Sequence, residues 1–255
     1  MAIITLLSDW KLKDPYVSLF KGEILKAIPS VQILDITHAI EMFMIDQAAF
    51  ISKVSYPHFP KETIHFILNG NTFSKSIKPI AMKFDDHWFV GEDTGIFQLI
   101  LDEHFPTALY QYPGDELLPS TEKMIVMANW ILSGVMDQNG TEISSLKPAR
   151  VSQPYFNKTE KMIRGEIVYI DSYCNAITNI PNTIFQEFYN GSFSATVSSS
   201  KHLKITRKHD FYNANEREVY LLLNRLGYIE ITLFHGHIAI LGDLKVKDVV
   251  EIKFT

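Results

Sequence analysis

The chain has 255 residues, which is enough for one large domain or two smaller ones, each with its own hydrophobic core. Its 46% hydrophobic and 21% charged residues are typical of a soluble globular protein, and no apolar run is long enough to predict a membrane span. The 24 basic residues are outnumbered by 29 acidic ones and form no dense cluster, which argues against nucleic acid as a partner.

The cysteine content and the opening residues predict a cytoplasmic protein. Cys174 is the one cysteine, so no internal disulfide is expected, as is usual in a reducing compartment. The first ten residues, MAIITLLSDW, lack the basic segment that begins a signal peptide. The nine histidines form no HExxH motif or Cys/His pair, and GxGxxG is absent, so we expect neither a metal nor a cofactor.

The first half of the chain alternates between strand and helix patterns. An apolar run at residues 3–8 predicts a strand that is buried on both faces. A helix follows, with Asp14 as the expected N-cap, Pro15 at its first position, and apolar side chains recurring every four residues. Further strands are expected at 31–37 and 63–68, with a second helix between them. This order predicts right-handed crossovers and a parallel sheet.

The remaining patterns predict a second domain that is mostly β. A hairpin is expected to turn at Asp85 and Asp86, and an amphipathic helix at 120–135. A polar stretch then precedes a succession of strand patterns. We therefore expect an α/β N-terminal domain with a mostly parallel, doubly wound sheet, and a smaller C-terminal β-barrel domain. The expected boundaries are 1–146 for the first domain, 147–162 for a linker and 163–255 for the second domain.

Polar side chains stand at the end of each of the three predicted parallel strands. Asp9 follows the first strand, Asp35 and His38 mark the end of the second, and Asn69 follows the third. Ligands of open parallel sheets bind beyond the carboxyl ends of the strands. An Asp in such a place can equally well cap the next helix, but three polar ends in a row favour one ligand pocket.

Two polar stretches each allow a structural and a functional interpretation. In HFILNGNTFSKS, at 65–76, Asn-Gly between apolar runs is a strong hairpin signal, but Asn69 could also begin a functional loop at a strand end. In IDSYCNAITN, the side chains of Asp171, Tyr173 and Asn175 could bind an amine, an apolar ring and a base edge. The same residues could form an Asx-type turn between two strands.

Four stretches follow one another in an order that resembles a known enzyme family. They are ITLLSDWKLKDPYVSLFKGEIL, DITHAIEMFMIDQAAFI, WFVGEDTGIF and GEIVYIDSYCNAITNI. This succession resembles that of the S-adenosyl-L-methionine hydroxide adenosyltransferases, the family that includes fluorinase and chlorinase. The resemblance implies an α/β domain, a C-terminal β-barrel, and a homotrimer that binds a small adenosyl ligand between domains of neighbouring subunits.

The chemistry that this resemblance implies is nucleophilic substitution at the 5′ carbon of the adenosyl group, with methionine as the leaving group. Attack by hydroxide yields adenosine and methionine, whereas attack by halide yields a halogenated adenosine. Because the sulfonium is already a good leaving group, such an enzyme mainly has to desolvate and aim the nucleophile. S-adenosyl-L-methionine is then substrate or ligand rather than cofactor.

The resemblance also implies which residues of this chain bind the ligand. They are Asp9 for the ribose hydroxyls, Phe43 near the ribose, Asp171 for the methionine amine, Tyr173 near the adenine, Asn175 at its edge and Arg225 near the methionine carboxylate. Arg225 is one residue away from the family position. Cys174 stands where glycine is usual, so the loop around it is expected to be slightly altered.

All three catalytic positions that the resemblance implies are substituted. Hydroxide-type members orient and activate water with an Asp, an Arg and a His, and the corresponding residues here are Asn69, Ser76 and Ser120. On this view the stretch at 65–76 is a parallel strand that runs into a catalytic loop, not a hairpin. Asparagine does not accept a proton at neutral pH, so general-base help of about 10²–10⁴-fold would be lost. No spacing argument points to a substitute base.

Three functions stay open on the sequence. The first is weak hydrolysis of S-adenosyl-L-methionine to adenosine and methionine. The second is a pseudoenzyme that binds adenosine or S-adenosyl-L-methionine without turnover. The third is transfer of the adenosyl group to another nucleophile such as chloride, for which Thr72 and Thr121 would supply small hydroxyls near the nucleophile.

Overall fold

The computed structural model describes residues 2–70, 78–114, 118–150, 152–200, 202–209 and 218–255. The chain forms two compact units, Met1–Val151 and Ser152–Thr255. Within the described ranges, no helix is both long and apolar enough to cross a membrane.

The amino-terminal unit is built on a seven-stranded sheet with helices packed against it. Its strands are β1 (Ile3–Ser8), β2 (Gln32–Thr37), β3 (Ile64–Leu68), β4 (Ile80–Phe84), β5 (His87–Gly91), β6 (Ala108–Gln111) and β7 (Thr141–Glu142). Its helices are α1 (Tyr16–Ala27), α2 (Ile45–Ser55), α3 (Ile96–Leu101), α4 (Ser120–Leu132) and α5 (Met136–Asn139), with a 3₁₀ turn at Tyr56–His58. The alternation of strands and helices in the first half follows the predicted order.

This sheet is mixed, so the prediction of a mostly parallel sheet needs correction. The strand order is β2-β1-β3-β5-β4-β6-β7, and the pairings from β2 to β5 are parallel. The pairings from β5 through β4 and β6 to β7 are antiparallel. The reason is the predicted hairpin at Asp85 and Asp86, both of which have positive φ, because a two-residue turn can join only antiparallel strands.

The pairing of β3 decides between the two interpretations of the Asn-Gly pair. Both neighbours of β3 are parallel to it, and β4 pairs with β5 and β6 instead. Asn69 and Gly70 therefore do not form the turn of a β3–β4 hairpin. The prediction that the third parallel strand runs directly into a loop is confirmed for this part of the segment.

Hydrophobic side chains fill both faces of the sheet, as alternation along buried strands requires. Ile4 and Leu6 of β1 pack with Phe20 of α1 on one face, while Leu7 packs with Phe97 of α3 on the other. Helices on both faces match the doubly wound arrangement that was expected.

The prediction of Asp14 as N-cap of α1 is wrong. The N-cap is Pro15, and no side chain caps the helix. Proline fixes φ near the helical value and has no N–H that needs a partner, so it can start a helix by itself. The backbone N–H of Leu19 donates to the carbonyl of Pro15 at 2.9 Å and closes the first turn.

The carboxyl-terminal unit is a barrel-like, nine-stranded sheet. Its strands are β8 (Tyr155–Asn157), β9 (Met162–Ile170), β10 (Ala176–Pro181), β11 (Phe193–Val197), β12 (Lys204–Ile205), β13 (Arg207–Lys208), β14 (Val219–Leu223), β15 (Tyr228–Leu233) and β16 (Val249–Phe254), and its helices are α6 (Asn182–Phe188) and α7 (Ile238–Leu241). The strands from β11 through β16, β9, β10 and β15 to β14 are antiparallel neighbours. Ile163, Ile167 and Ile231 lie in its core.

Candidate functional site

Asp9 is the centre of a buried polar cluster at the carboxyl ends of β1 and β3. Its Oδ2 accepts hydrogen bonds from the backbone N–H groups of Phe43 and Gly70, each at 3.2 Å, and from the Asn69 amide at 3.3 Å. Asp9 caps no helix, because α1 begins seven residues later with Pro15 at its N-cap. All three bonds go to Oδ2 and no described residue is seen to donate to Oδ1, so Oδ1 is the oxygen available to an incoming hydroxyl group.

The end of β2 has a structural role. The Ser8 hydroxyl lies 2.7 Å from Nδ1 of His38, and Nε2 of His38 lies 3.1 Å from a carboxylate oxygen of Asp35. Burial works to raise the pKa of Asp35, but Lys21 and His38 together lower it below its ordinary value. Although this is a Ser-His-Asp order, Ser8 is fully buried and cannot reach a substrate as a nucleophile.

The loop after β2 is held against the loop after β1 and presents Phe43. The backbone N–H of Lys11 donates to the carbonyl of His38, and its ammonium donates to the carbonyl of Ile40, both at 2.8 Å. Phe43 has a φ of 63° and a side chain that is 64% exposed, while its N–H binds Asp9. The structure thus holds the backbone of Phe43 at Asp9 and leaves its side chain exposed, while the position beside the ribose that the resemblance implies for it stays a prediction.

Asn69 continues β3 into the cluster with its amide oriented by Asp9. Its side chain is 3% exposed, and its Nδ2 donates to the Asp9 carboxylate. Its Oδ1 is buried and has no hydrogen-bond partner among the described residues. Gly70 follows with a φ of 114°, a conformation that favours glycine and that turns its N–H towards Asp9.

Glu92 is a member of this cluster that the sequence analysis missed. It follows β5 directly, is 4% exposed, and its Oε2 lies 3.8 Å from the place where a side chain on Gly70 would begin. Burial raises the pKa of Glu92 to about 7, with the Ser120 hydroxyl acting against this rise and the charge of Asp9 adding to it. A carboxylate directly after an apolar strand was the available signal, but this stretch was interpreted as half of a hairpin and as part of the family resemblance, and Glu92 was given no role.

Ser120 and Thr121 start α4 and are both buried. Neither caps the helix, whose N-cap is Pro119. The Ser120 hydroxyl influences the Glu92 carboxyl but has no hydrogen-bond partner of good geometry among the described residues. The predicted site residues Thr72 and Ser76 lie outside the described residues.

In the carboxyl-terminal unit, the predicted loop after β9 is a closed turn. Oδ1 of Asp171 accepts the backbone N–H groups of Tyr173 and Asn175 at 2.9 and 2.8 Å, and Oδ2 accepts the Asn175 amide at 3.2 Å. Asn175 in turn accepts the hydroxyl of Thr232 at 2.8 Å. The Asx-type turn is therefore present, and it leaves the ring of Tyr173 76% exposed at its tip.

Arg225 is not brought near this loop within the unit. Arg225 is exposed in the tight turn between β14 and β15. This turn lies beside the end of β10, because the N–H of Asn182 donates to the carbonyl of Gly227. The loop after β9 precedes the start of β10. Because β10 has six residues, about 17 Å of strand separates the two places.

The described residues of the amino-terminal unit offer several polar atoms to a ligand. The buried side-chain atoms that have no hydrogen-bond partner among these residues include Oδ1 of Asn69, Oε1 of Glu92 and Oγ of Ser120. Among the described residues, no group of three or more His, Cys, Asp or Glu side chains could hold a metal ion. Buried polar atoms without partners are rare in folded proteins, so they indicate a place where a ligand or water binds.

Comparison with known families accounts for both units. Residues 4–136 match the model of the SAM hydroxide adenosyltransferase N-terminal domain, and residues 165–251 match that of the C-terminal domain. The chain belongs to the SAM hydroxide adenosyltransferase family. The resemblance to this family that the sequence motifs indicated is thereby confirmed.

Relatives of this family member include two named hydrolases. The chain is 23% identical over 264 residues to an (R)-S-adenosyl-L-methionine hydrolase of Methanocaldococcus jannaschii, covering 98% of this chain and 95% of the relative. It is 26% identical over 100 residues to a protein of the same name from Thermus thermophilus, covering 39% of this chain and 38% of that one.

Solved structures support the fold of this family member. A conserved protein of Thermotoga maritima superimposes with a TM-score of 0.85 at 22% identity, covering 98% of this chain and 99% of that one. A conserved hypothetical protein of Thermus thermophilus gives a TM-score of 0.77 at 20% identity, covering 99% and 100%. At these identities the likeness supports the arrangement of elements in the fold and carries no conclusion about substrate.

Proposed function

We propose that the protein is an S-adenosyl-L-methionine hydrolase that cleaves the bond between the sulfonium sulfur and the 5′ carbon, yielding adenosine and methionine. The observation that carries this proposal is the geometry of Asp9, whose Oδ2 accepts hydrogen bonds from three donors and whose Oδ1 accepts none from the described residues. A buried carboxylate fixed in this way can accept the two hydroxyls of a ribose. The family membership and the named relatives support the same substrate.

The pseudoenzyme alternative rests on Asn69 and Ser120, which stand where the resemblance places the water-activating Asp and His. Asn69 is fixed as a donor to Asp9 and cannot act as a base. This observation favours binding without turnover unless another group accepts the proton. For the chloride alternative, Thr121 is buried next to Ser120, and Thr72 lies outside the described residues.

One assay separates these functions. The protein is incubated with S-adenosyl-L-methionine, with and without chloride, and the nucleoside products are identified by chromatography. Adenosine in both reactions supports hydrolysis, and a chlorinated nucleoside supports halide transfer. Calorimetric binding of adenosine without any turnover identifies the pseudoenzyme, and neither binding nor turnover would refute an adenosyl ligand altogether.

Asp9→Asn tests the residue on which the proposal rests. The amide keeps the size of the side chain but loses the charge that accepts three hydrogen bonds, and we expect adenosine affinity to fall by about tenfold or more. Asp14→Asn, at an exposed position outside the cluster, is the matched control and should bind adenosine like the wild type. Equal affinities of the wild type and Asp9→Asn would contradict the assignment of the ribose to Asp9.

In the carboxyl-terminal unit, the proposal keeps the roles that the resemblance implies for Asp171, Tyr173 and Asn175. The two carboxylate oxygens of Asp171 are held in place by donors of its own loop, and Tyr173 has an exposed ring on which a base can stack. Tyr173→Ala should therefore raise the KM for S-adenosyl-L-methionine with little change in stability. We also propose the homotrimer, which light scattering after gel filtration tests directly.

A further inference from the structure

Glu92 is a buried carboxyl group without a counter-ion among the described residues. Its side chain is 4% exposed, and in the described part of the chain no Lys, Arg or His forms an ion pair with it. Its Oε1 is buried and has no hydrogen-bond partner there. Burying such a group is unfavourable, and an amide or apolar side chain of similar size would be tolerated better at a position that serves only the fold.

No structural task explains the carboxylate. The turn after β5 is closed by the main chain, because the N–H of Thr94 donates to the backbone carbonyl of Glu92 at 2.9 Å. Helix α3 begins after Gly95 and has no side-chain cap. The side chain of Glu92 therefore contributes neither to the turn nor to the start of the helix.

The register of the sheet brings Glu92 close to Asp9 and Asn69. Ser8 of β1 is paired with Leu68 of β3, and Ile67 of β3 is paired with Gly91 of β5. Asn69 is therefore level with Asp9, and Glu92 is level with Leu68, one residue before Asn69, with about 4.8 Å between adjacent strands. The influence of Asp9 and Ser120 on the pKa of Glu92, and the closeness of Gly70, are in accord with this placement.

We propose that Glu92 is the general base of the hydrolysis, and that it accepts a proton from the attacking water while Oδ1 of Asn69 accepts the water's second hydrogen bond. This inference rests on the hydrolase function proposed above. It identifies the group that replaces the missing Asp: the carboxylate stands at the end of β5, and the end of β3 carries an amide instead. The Ser120 hydroxyl acts on the same carboxyl group and has no other described partner, so it is available to donate to Glu92.

The step balances without any further reactant. The oxygen of the water forms a bond to the 5′ carbon, and the bond between that carbon and the sulfonium sulfur breaks. The electron pair of the broken bond stays on sulfur, which becomes the neutral thioether of methionine. One proton of the water passes to the Glu92 carboxylate and is released to solvent when the site opens, while the other remains on the 5′ hydroxyl of adenosine.

The exchange of a carboxylate for an amide at position 69 suits this assignment. Asn69 donates to the Asp9 carboxylate, whereas an aspartate there would repel it. The two neighbouring carboxylates thus have different roles, because Asp9 binds the ribose and Glu92 accepts the proton. With its pKa raised to about 7 by burial, Glu92 is ionised in a large fraction of molecules at neutral pH and still basic enough to take a proton.

The test compares Glu92→Gln and Glu92→Ala with the wild type in the chromatographic assay. Both variants should lose about 10²–10⁴-fold in kcat/KM for hydrolysis. Adenosine binding, measured by calorimetry, should stay within about threefold of the wild type, because binding depends on Asp9. Glu103→Gln, at an exposed position outside the cluster, is the control for loss of a glutamate and should retain full activity.

Two further readouts distinguish a base from a residue that only supports the fold. Formate should restore the activity of Glu92→Ala by about tenfold or more, because a small carboxylate can enter the vacated space, but should not restore that of Glu92→Gln. The kcat/KM of the wild type should rise with pH through an apparent pKa near 7 and that of Glu92→Gln should not. In the described part of the chain, the Ser120 hydroxyl and the Asp9 carboxylate act on the pKa of Glu92, Gly70 lies beside its Oε2, and Asp9 is the charged residue of these three.

The outcomes separate this inference from the function on which it rests. If the wild type gives no adenosine, the proposed hydrolase function is wrong, and so is the assignment of Glu92 as its base. If the wild type is active and Glu92→Gln keeps its activity with adenosine binding intact, the hydrolase stands and the assignment of Glu92 is overturned. Loss of activity with normal adenosine binding and rescue by formate supports both.

Discussion

Strands β1, β3 and β5 carry two groups of buried polar side chains. The first, the histidine network, is Thr5, His65 and His87, and the second, the group at Asp9, is Asp9, Asn69 and Glu92. Within the strands, the Thr5 hydroxyl lies 2.7 Å from Nδ1 of His65, and Nε2 of His65 lies 3.1 Å from Nδ1 of His87. At the carboxyl ends of the same strands, Asn69 and Glu92 each keep a buried oxygen without a partner in the described chain. A network that is complete within the protein serves the fold, whereas unpaired acceptors indicate a site for a ligand.

Burial also shifts the pKa values in the two groups in opposite directions. Burial lowers the pKa of His65 to about 3, with the charge of His87 adding to the effect, and raises the pKa of Glu92 to about 7. Both shifts favour the neutral form. His65 stays neutral throughout the physiological range and Glu92 does not, so the charge that costs stability at neutral pH belongs to the candidate site.

The largest predicted effect on stability concerns Glu92→Gln. The folded pKa of Glu92, about 7, lies above its ordinary value of 4.5, so its stabilising contribution is present below pH 4.5 and is lost as pH rises through 7. Replacing it with an amide removes this loss. Relative to the wild type, Glu92→Gln should therefore gain about 3 kcal/mol in free energy of unfolding between pH 4.5 and pH 8.

Urea denaturation at several pH values measures this difference. Glu103→Gln serves again as the control and should follow the wild type at every pH. A stability difference between Glu92→Gln and the wild type that does not change with pH would mean that Glu92 titrates normally, and the contrast between the two polar groups would be lost. If Glu92→Gln is more stable than the wild type but inactive, Glu92 contributes to function while it lowers the free energy of unfolding.

The second prediction concerns the complete network and has the opposite sign. The folded pKa of His65, about 3, lies below its ordinary value of 6.5, so the unfolded chain takes up a proton first as pH falls. The stability that neutral His65 contributes is present above pH 6.5 and should decline by about 1.4 kcal/mol per pH unit below it. In His65→Gln this decline should be absent.

Unfolding of the wild type and His65→Gln at pH 7.5, 6.0 and 5.0 provides the measurement. The advantage of the wild type should shrink by about 2 kcal/mol over this interval, since pH 5.0 lies 1.5 units below 6.5. His104→Gln is a suitable control, because His104 is exposed. Parallel pH profiles of the wild type and His65→Gln would show that the histidine pair is solvated in solution.

The third prediction addresses Asn69, the residue that links Asp9 to the unpaired acceptors. Asn69→Asp removes the donor to the Asp9 carboxylate and adds a like charge beside it. We expect adenosine affinity to fall by about tenfold, because Asp9 would share a proton with its new neighbour and bind the ribose less well. Asn139→Asp, on the exposed α5, controls for a general effect of charge.

Calorimetry with adenosine at pH 7.5 gives the comparison. Restoring the family aspartate at this one position should thus weaken binding, because Glu92 already supplies the carboxylate. If Asn69→Asp instead binds adenosine normally and hydrolyses S-adenosyl-L-methionine faster than the wild type, then the missing Asp was the only defect and Glu92 has no catalytic part.

The fold followed from local patterns, but the site depended on neighbours that are distant in the chain. The apolar runs of β1 and β3 and the turn at Asp85 and Asp86 were readable one segment at a time. That the turn makes half the sheet antiparallel, and that β5 lies beside β3, depends on pairing, which hydrophobic periodicity does not encode. Glu92 was not predicted as a site residue for this reason, since it is the pairing of β3 with β5 that places it level with Leu68, next to Asn69.

The smallest predicted effect lies in the carboxyl-terminal unit, where the loop after β9 is as complete in its hydrogen bonds as the histidine network. Cys174 occupies its left-handed position with a φ of 60°, in the place where the resemblance implies glycine. A residue with a β-carbon adopts this left-handed conformation at some cost in strain, and the prediction that the loop is slightly altered stays a prediction. Cys174→Gly should relieve that strain.

The expected gain in free energy of unfolding is about 0.5–1 kcal/mol, because the relief of left-handed strain exceeds the greater entropy of glycine in the unfolded chain. Thermal unfolding measures it, and Cys174→Ala, which keeps a β-carbon, should show no gain. Since the Asp171 carboxylate is held by the N–H groups of Tyr173 and Asn175 rather than by residue 174, the KM for S-adenosyl-L-methionine should not change. A changed KM with unchanged stability would mean that the sulfur contacts the ligand. The loop would then have to be counted among the ligand-binding parts of the chain, like the group at Asp9.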